Sequence, residues 1–76
     1  GYTGHLLGAA GATEAVLAFG SILRGFVPAS LGADPLDPTL GISVATSRLD
    51  RPCRTVLSSS LAFGGSNASV LLGAPA

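Results

Sequence analysis

The sequence predicts an α/β unit made of one buried helix, a proline-rich loop and two strands joined by a glycine-rich loop. Three observations predict it. Leu6 to Arg24 is a long apolar stretch that stops at Gly25. Pro28, Pro35 and Pro38 then interrupt the chain. Two short runs, Thr55 to Leu61 and Ser69 to Leu72, flank Gly64-Gly65 and read as a hairpin-like pair.

The helix comes first. Apart from Thr13, Glu14, Ser21 and Arg24, every residue from Leu6 to Arg24 is apolar or glycine, which marks a core helix rather than a surface amphipath. Gly8 and Gly11 each cost about 1 kcal/mol of helix propensity against alanine. That cost is sensible where another backbone must come close. Gly25 is a natural C-terminal stop. From Val27 to Gly41 the prolines, with Gly32, Asp34 and Asp37, forbid regular helix and predict an extended loop with turns. Ile42 to Thr46 alternates weakly and is expected to form a short strand; Ser47 to Pro52 reads as a turn. Ala74-Pro75-Ala76 is expected to fray. There is no internal repeat.

Composition argues against a free-standing unit. Of 76 residues, 47% are hydrophobic and 11% charged, with no lysine. A chain of this length buries only about 60% of its unfolded surface when it folds alone, and so needs a wetter exterior than this one offers. The expectation is an incomplete domain, residues 1–76, whose apolar surface the remainder of a larger protein covers. A self-standing structural module is the bland alternative. Formal net charge is zero, which gives no field for nucleic acid or a membrane surface. Arg48, Arg51 and Arg54 lie close enough in sequence for a small basic patch, either solvated or a docking spot for an acidic partner. Cys53 is the lone cysteine, so no internal disulfide can form and no metal cluster is suggested. It reads as structural. No apolar run reaches the length of a membrane span, and no signal segment is present.

Three places carry chemistry. His5 is the only histidine and stands at the mouth of the helix, where free N–H groups and positive dipole converge. A lone histidine is commonly structural, but the glycine before it and the small residues after it leave room for a substrate. Glu14 is costly to bury in so apolar a helix unless it is paired; the plain alternative is a solvent-facing residue on a thin polar stripe with Ser21. At about 100° per residue it falls opposite His5, if His5 is helical, so a direct His–Glu pair is not expected. Phe63-Gly64-Gly65 marks a tight turn, or else a mobile loop with an aromatic gate.

Two stretches also carry a family resemblance. Thr3-Gly4-His5-Leu6-Leu7-Gly8-Ala9-Ala10-Gly11-Ala12 resembles the second-histidine motif of the β-ketoacyl-acyl-carrier-protein synthases, and Leu61-Ala62-Phe63-Gly64-Gly65-Ser66-Asn67 resembles their glycine-rich loop near the C-terminus. The resemblance implies the C-terminal piece of a layered thiolase-like fold and a decarboxylative Claisen condensation of a malonyl thioester with an enzyme-bound acyl thioester. By resemblance His5 is the second active-site histidine, a neutral imidazole donating to the malonyl thioester oxygen. Phe63 supplies a backbone N–H to an oxyanion hole and a ring that gates the acyl pocket. Glu14 pairs with the family's lysine, expected immediately before Gly1. Gly64 and Gly65 give the loop its shape, and Asn67 braces it. The nucleophilic cysteine and the first histidine lie upstream, so the 76 residues alone are expected to be inactive.

The chain departs from the family's Phe-Gly-Phe-Gly-Gly run with Leu61 and Ala62. Alanine resists φ > 0, which puts the usual gating motion in question. Acyl carrier protein, the remainder of the synthase, a second copy in a homodimer, a cytoplasmic setting and chemistry without a metal or organic cofactor are all implied by the resemblance alone. Two alternatives share the plan: a non-catalytic chain-length-factor-like partner subunit, and a polyketide or aryl-polyene ketosynthase. Tyr2-Thr3-Gly4-His5 and Asn67-Ala68-Ser69 look more like the fatty-acid type than the Asn-Ile-Gly-His and Asn-Ala-His of polyketide ketosynthases.

Overall fold

The computed structural model describes residues 1–75; Ala76, expected to fray, lies outside them. A short 3₁₀ turn, Leu7–Ala9, leads into helix α1, Ala10–Arg24. Gly25 ends it in the left-handed conformation, φ 67°, with its N–H and that of Phe26 donating back to Ser21 O. That is the glycine stop expected from the sequence. The predicted helix start at Leu6 is a 3₁₀ turn instead. Leu7 has φ 53°, outside the right-handed helical region, so regular α-helix cannot begin before Ala10.

Strands β1, Thr55–Leu61, and β2, Asn67–Gly73, form a two-stranded antiparallel sheet with Thr55 opposite Gly73 and Leu61 opposite Asn67. The second strand is longer than the expected Ser69 to Leu72, because pairing extends to Asn67 beside the turn and to Gly73 opposite Thr55. Register sorts the side chains. Val56, Ser58, Ser60, Ala68, Val70 and Leu72 share the face that meets α1, while Leu57, Leu61, Leu71, Ser59 and Ser69 share the other.

The helix crosses the inner face on its small side. A Cβ added to Gly11 would lie 3.8 Å from Ser60 Oγ, Glu14 accepts a hydrogen bond from Ser58, and a Cβ on Gly25 would lie 3.8 Å from Arg51 O. Successive helix positions thus meet earlier and earlier strand positions: α1 runs antiparallel to β1. Close approach is realised at Gly11 but not at Gly8, which has open space around it. The expectation of a buried core helix is met on one side only. Ala18 and Ser21 are buried, whereas Val16, Phe19 and Leu23, spaced along the opposite side, stay exposed. A single sheet can cover only one stripe of a helix.

The predicted strand at Ile42 to Thr46 is absent: residues 42–45 have no regular structure and Thr46 begins a bend. Val27 and Leu49 exchange two backbone hydrogen bonds of 2.8 and 2.9 Å, and Ser30 N–H donates to Ala45 O at 2.7 Å. The Ser30–Ala45 bond is one residue out of register with the Val27–Leu49 pair, so the two contacts do not join into a regular ladder. A second short 3₁₀ turn, Pro38–Leu40, is capped by Asp37, whose Oδ1 accepts from Thr39 N–H at 2.9 Å and Thr39 Oγ1 at 2.7 Å. These two bonds, side chain first, hold the Asp37 carboxyl below its ordinary pKa.

Candidate functional site

His5 owes its position to backbone turns on either side. Gly4 takes φ 70°, which glycine does freely, and Leu7 takes φ 53°, which costs a leucine about 1–2 kcal/mol. The reversal lays the imidazole beside the first turns of α1. Leu7 N–H then donates to His5 Nδ1 at 3.4 Å, a long bond. With Nδ1 accepting, the proton of a neutral imidazole belongs on Nε2, which becomes the outward donor.

The hollow around His5 has a volume of about 210 Å³ and is lined by Thr3, Gly4, His5, Leu6, Ala10, Thr13, Glu14 and Leu17. His5 and Glu14 therefore share a wall, against the angular expectation. The reason is that His5 is not helical, so the 100° rule does not run through it. No hydrogen bond joins the two among the described residues. Glu14 instead accepts from Ser58 Oγ at 3.3 Å. Its supposed stripe partner Ser21 is buried rather than solvent-facing.

At the other motif, Leu61 and Asn67 form the last strand pair, and Ala62 N–H donates to Ser66 O at 2.8 Å to close the turn. Gly64 and Gly65 take φ 81° and 84°, so the two glycines are there by conformational need. Ala62 has φ −120° and ψ 164°, extended backbone open to any residue. The Phe63 ring is wholly exposed, at 104%, and touches no wall. Asn67 is exposed and opens β2.

Because α1 is antiparallel to β1, the start of the helix and the turn after Leu61 lie at the same end of the layer. The fold thus brings the two motifs to one end, although Phe63 does not line the His5 hollow. The arginine patch is thinner than the sequence suggests. Arg48 Nε donates to Asp50 at 2.7 Å and its guanidinium lies 4.2 Å from the Phe26 ring centroid, which leaves Arg51 and Arg54. Among the described residues there is no cluster of three metal-ligating side chains, and no helix is long and apolar enough to cross a membrane.

Sequence reasoning missed Ser58 and Tyr2. Ser58 was detectable: it alternates onto the same strand face as Val56 and Ser60, where a hydroxyl must meet the helix. Tyr2, whose hydroxyl donates to Ala29 O at 2.8 Å, left no local signal.

No protein-family model matches this chain, and no solved structure does. Curated proteins do. The chain is 39% identical over 71 residues to 3-oxoacyl-[acyl-carrier-protein] synthase 1 of Escherichia coli, covering 92% of this chain and 18% of that protein. It is 43% identical over 74 residues to the mitochondrial 3-oxoacyl-[acyl-carrier-protein] synthase of Arabidopsis thaliana, with 93% and 16% covered. To 3-oxoacyl-[acyl-carrier-protein] synthase 2 of Rhizobium meliloti it is 41% identical over 70 residues, with 91% and 17% covered. The resemblance first carried by two motifs extends over nearly the whole chain, and the chain spans less than a fifth of the length of these relatives.

Proposed function

We propose that this chain is the C-terminal segment of a 3-oxoacyl-[acyl-carrier-protein] synthase, and that His5 and the Phe63 turn belong to its condensing site. The intact enzyme takes its acyl and malonyl groups from acyl carrier protein. As the malonyl C–C bond to the carboxylate breaks and carbon dioxide leaves, the electron pair moves towards the thioester oxygen. Attack of the resulting carbanion on the acyl thioester forms the new C–C bond and expels the upstream cysteine as thiolate. The protein's task at the malonyl oxygen is to offer a fixed donor where charge develops.

One observation carries the reading: Leu7 N–H occupies His5 Nδ1, so the imidazole proton is directed to Nε2, as a donor to that oxygen requires. The Phe63 turn stands at the same end of the layer, where its backbone N–H serves the acyl thioester oxygen and its ring gates the acyl pocket. Glu14, beside His5 and bonded to Ser58, awaits the cation that the family places before Gly1. Gly64 and Gly65 shape the turn and Asn67 braces it.

A layered fold with further elements on both sides is supported by the bare apolar faces: Val16, Phe19 and Leu23 on the helix, Leu57, Leu61 and Leu71 on the sheet. The thiolase-like arrangement, the homodimer and the cytoplasmic setting follow from the same reading.

The test separates the two half-reactions in the full-length protein. His5→Ala should slow malonyl decarboxylation by ~10²–10³, the usual loss for one oxyanion donor, and leave acyl transfer to the cysteine intact. Loss of acylation with decarboxylation preserved would overturn the assignment.

A further inference from the structure

The residues before the Leu7–Ala9 turn have no regular structure, so something must hold His5 where it stands. Two of their hydrogen bonds are local: Thr3 Oγ1 to Gly4 O, and Leu7 N–H to His5 Nδ1. One reaches across the fold among the described residues. Tyr2 donates its phenolic proton to Ala29 O, 27 positions away, at 2.8 Å.

The acceptor is itself well anchored. Ala29 lies between Val27, paired in both directions with Leu49, and Ser30, bonded to Ala45. Gly1 rests against the same stretch so tightly that a Cβ there would come within 2.8 Å of Leu31 Cβ. The Tyr2 ring walls a hollow of about 390 Å³ with Leu17, Phe26, Pro28 and Ala29. Thr3 and Leu17 line both this hollow and the one around His5, so the tether and the imidazole are parts of one wall.

We infer that Tyr2 is a positioning residue for His5: its hydroxyl straps the segment before the helix onto the 27–31 loop and thereby sets where Nε2–H points. Tyr2 does not touch substrate. Phenylalanine at this position keeps the ring and its packing and removes only the strap.

The inference rests on the decarboxylation role proposed for His5, and the experiment separates the two. Full-length wild type, Tyr2→Phe, His5→Ala and the double variant are compared in single-turnover malonyl decarboxylation, in acylation, and in thermal unfolding. Losing one neutral hydrogen bond is expected to lower the decarboxylation rate of Tyr2→Phe about fivefold. KM for the malonyl carrier, acylation and the unfolding midpoint should be unchanged. In the His5→Ala background the Tyr2 change should cost nothing more, since the residue acts through an imidazole no longer present.

A wild-type decarboxylation rate in Tyr2→Phe overturns the inference, as does the same fivefold loss when His5 is absent. A lowered midpoint with both half-reactions slowed assigns Tyr2 to general stability and overturns it too. If His5→Ala itself leaves decarboxylation untouched, the role of His5 fails first.

Discussion

The two motifs that share one end of the layer are held in opposite ways. His5 is fixed from nearby: positive φ at Gly4 and Leu7, an N–H on Nδ1, and a tyrosine strap three residues before it. Phe63 is fixed only in its backbone, by two glycines and a closing hydrogen bond, while its ring meets nothing. The difference teaches which part of the proposed site this chain can define unaided. The histidine's orientation is set by contacts inside this chain, two local turns and one reach to Ala29. The ring's position has to come from whatever packs on the turn.

The largest test of that contrast uses the chain by itself. The isolated 76 residues should show no condensing activity and no cooperative thermal transition, because among the described residues only Ala18 and Ser21 are buried and both apolar faces lack a cover. A sharp calorimetric transition, or product formed from acyl and malonyl carriers by the peptide alone, would contradict it.

Next in size is Ala62→Gly in the full-length protein. Glycine gives the turn access to positive φ at Ala62, which alanine resists, and so should loosen the Phe63 ring. The backbone effect of about 0.4–1 kcal/mol allows at most a several-fold change in preference between short and long acyl chains. Acylation rates across a chain-length series measure it. Decarboxylation should not respond, since the His5 turn is built separately; a parallel fall in both would show that the two motifs are mechanically coupled.

Leu7→Gly sharpens the other side. It relieves a leucine held at φ 53° and retains the N–H on His5 Nδ1, so the gain of about 1 kcal/mol in local backbone energy should come without loss of decarboxylation. A large rate loss would mean that the leucine side chain, not its backbone, matters to the imidazole.

The smallest effect lies away from both motifs. Asp37 has a folded-state pKa depressed by its bonds to Thr39, so its contribution to the Pro38–Leu40 turn is full above the ordinary carboxylate pKa and is lost as pH falls through the lowered value. Amide exchange at Thr39 should rise, after correction for the intrinsic pH dependence, only below about pH 4. Asp37→Asn should remove that acid-side step.

Much of this was readable beforehand where one residue type has one use. Gly25 stopped the helix, Gly64 and Gly65 made the turn, and β1 fell on its expected residues, because glycine at positive φ and alternation in a strand are local properties. The failures were tertiary. Ile42 to Thr46 has a strand-like pattern but no partner in continuous register, since Ser30 N–H reaches Ala45 O one residue out of step with the Val27–Leu49 pair. The periodic angle between His5 and Glu14 assumed a helix that Leu7 prevents. Tyr2 was invisible, since its acceptor is a backbone carbonyl 27 residues on, and any residue has one of those.

The antiparallel packing of α1 on β1 also sets an order of events. The hairpin closes over short separations, as in the Ser59–Ser69 hydroxyl contact 10 positions apart, whereas the helix reaches it through Glu14 and Ser58, 44 positions apart. Lengthening a loop by about two doublings adds only about 1 kcal/mol of closure entropy, yet that toll comes before any docking contact repays it. Hairpins form in about 1–10 μs. On this reasoning the strands should pair before the helix docks, and the corner that unites His5 with the glycine turn should assemble last. Run backwards, it is the first to part: under rising denaturant the histidine end should separate from the turn while the hairpin still stands.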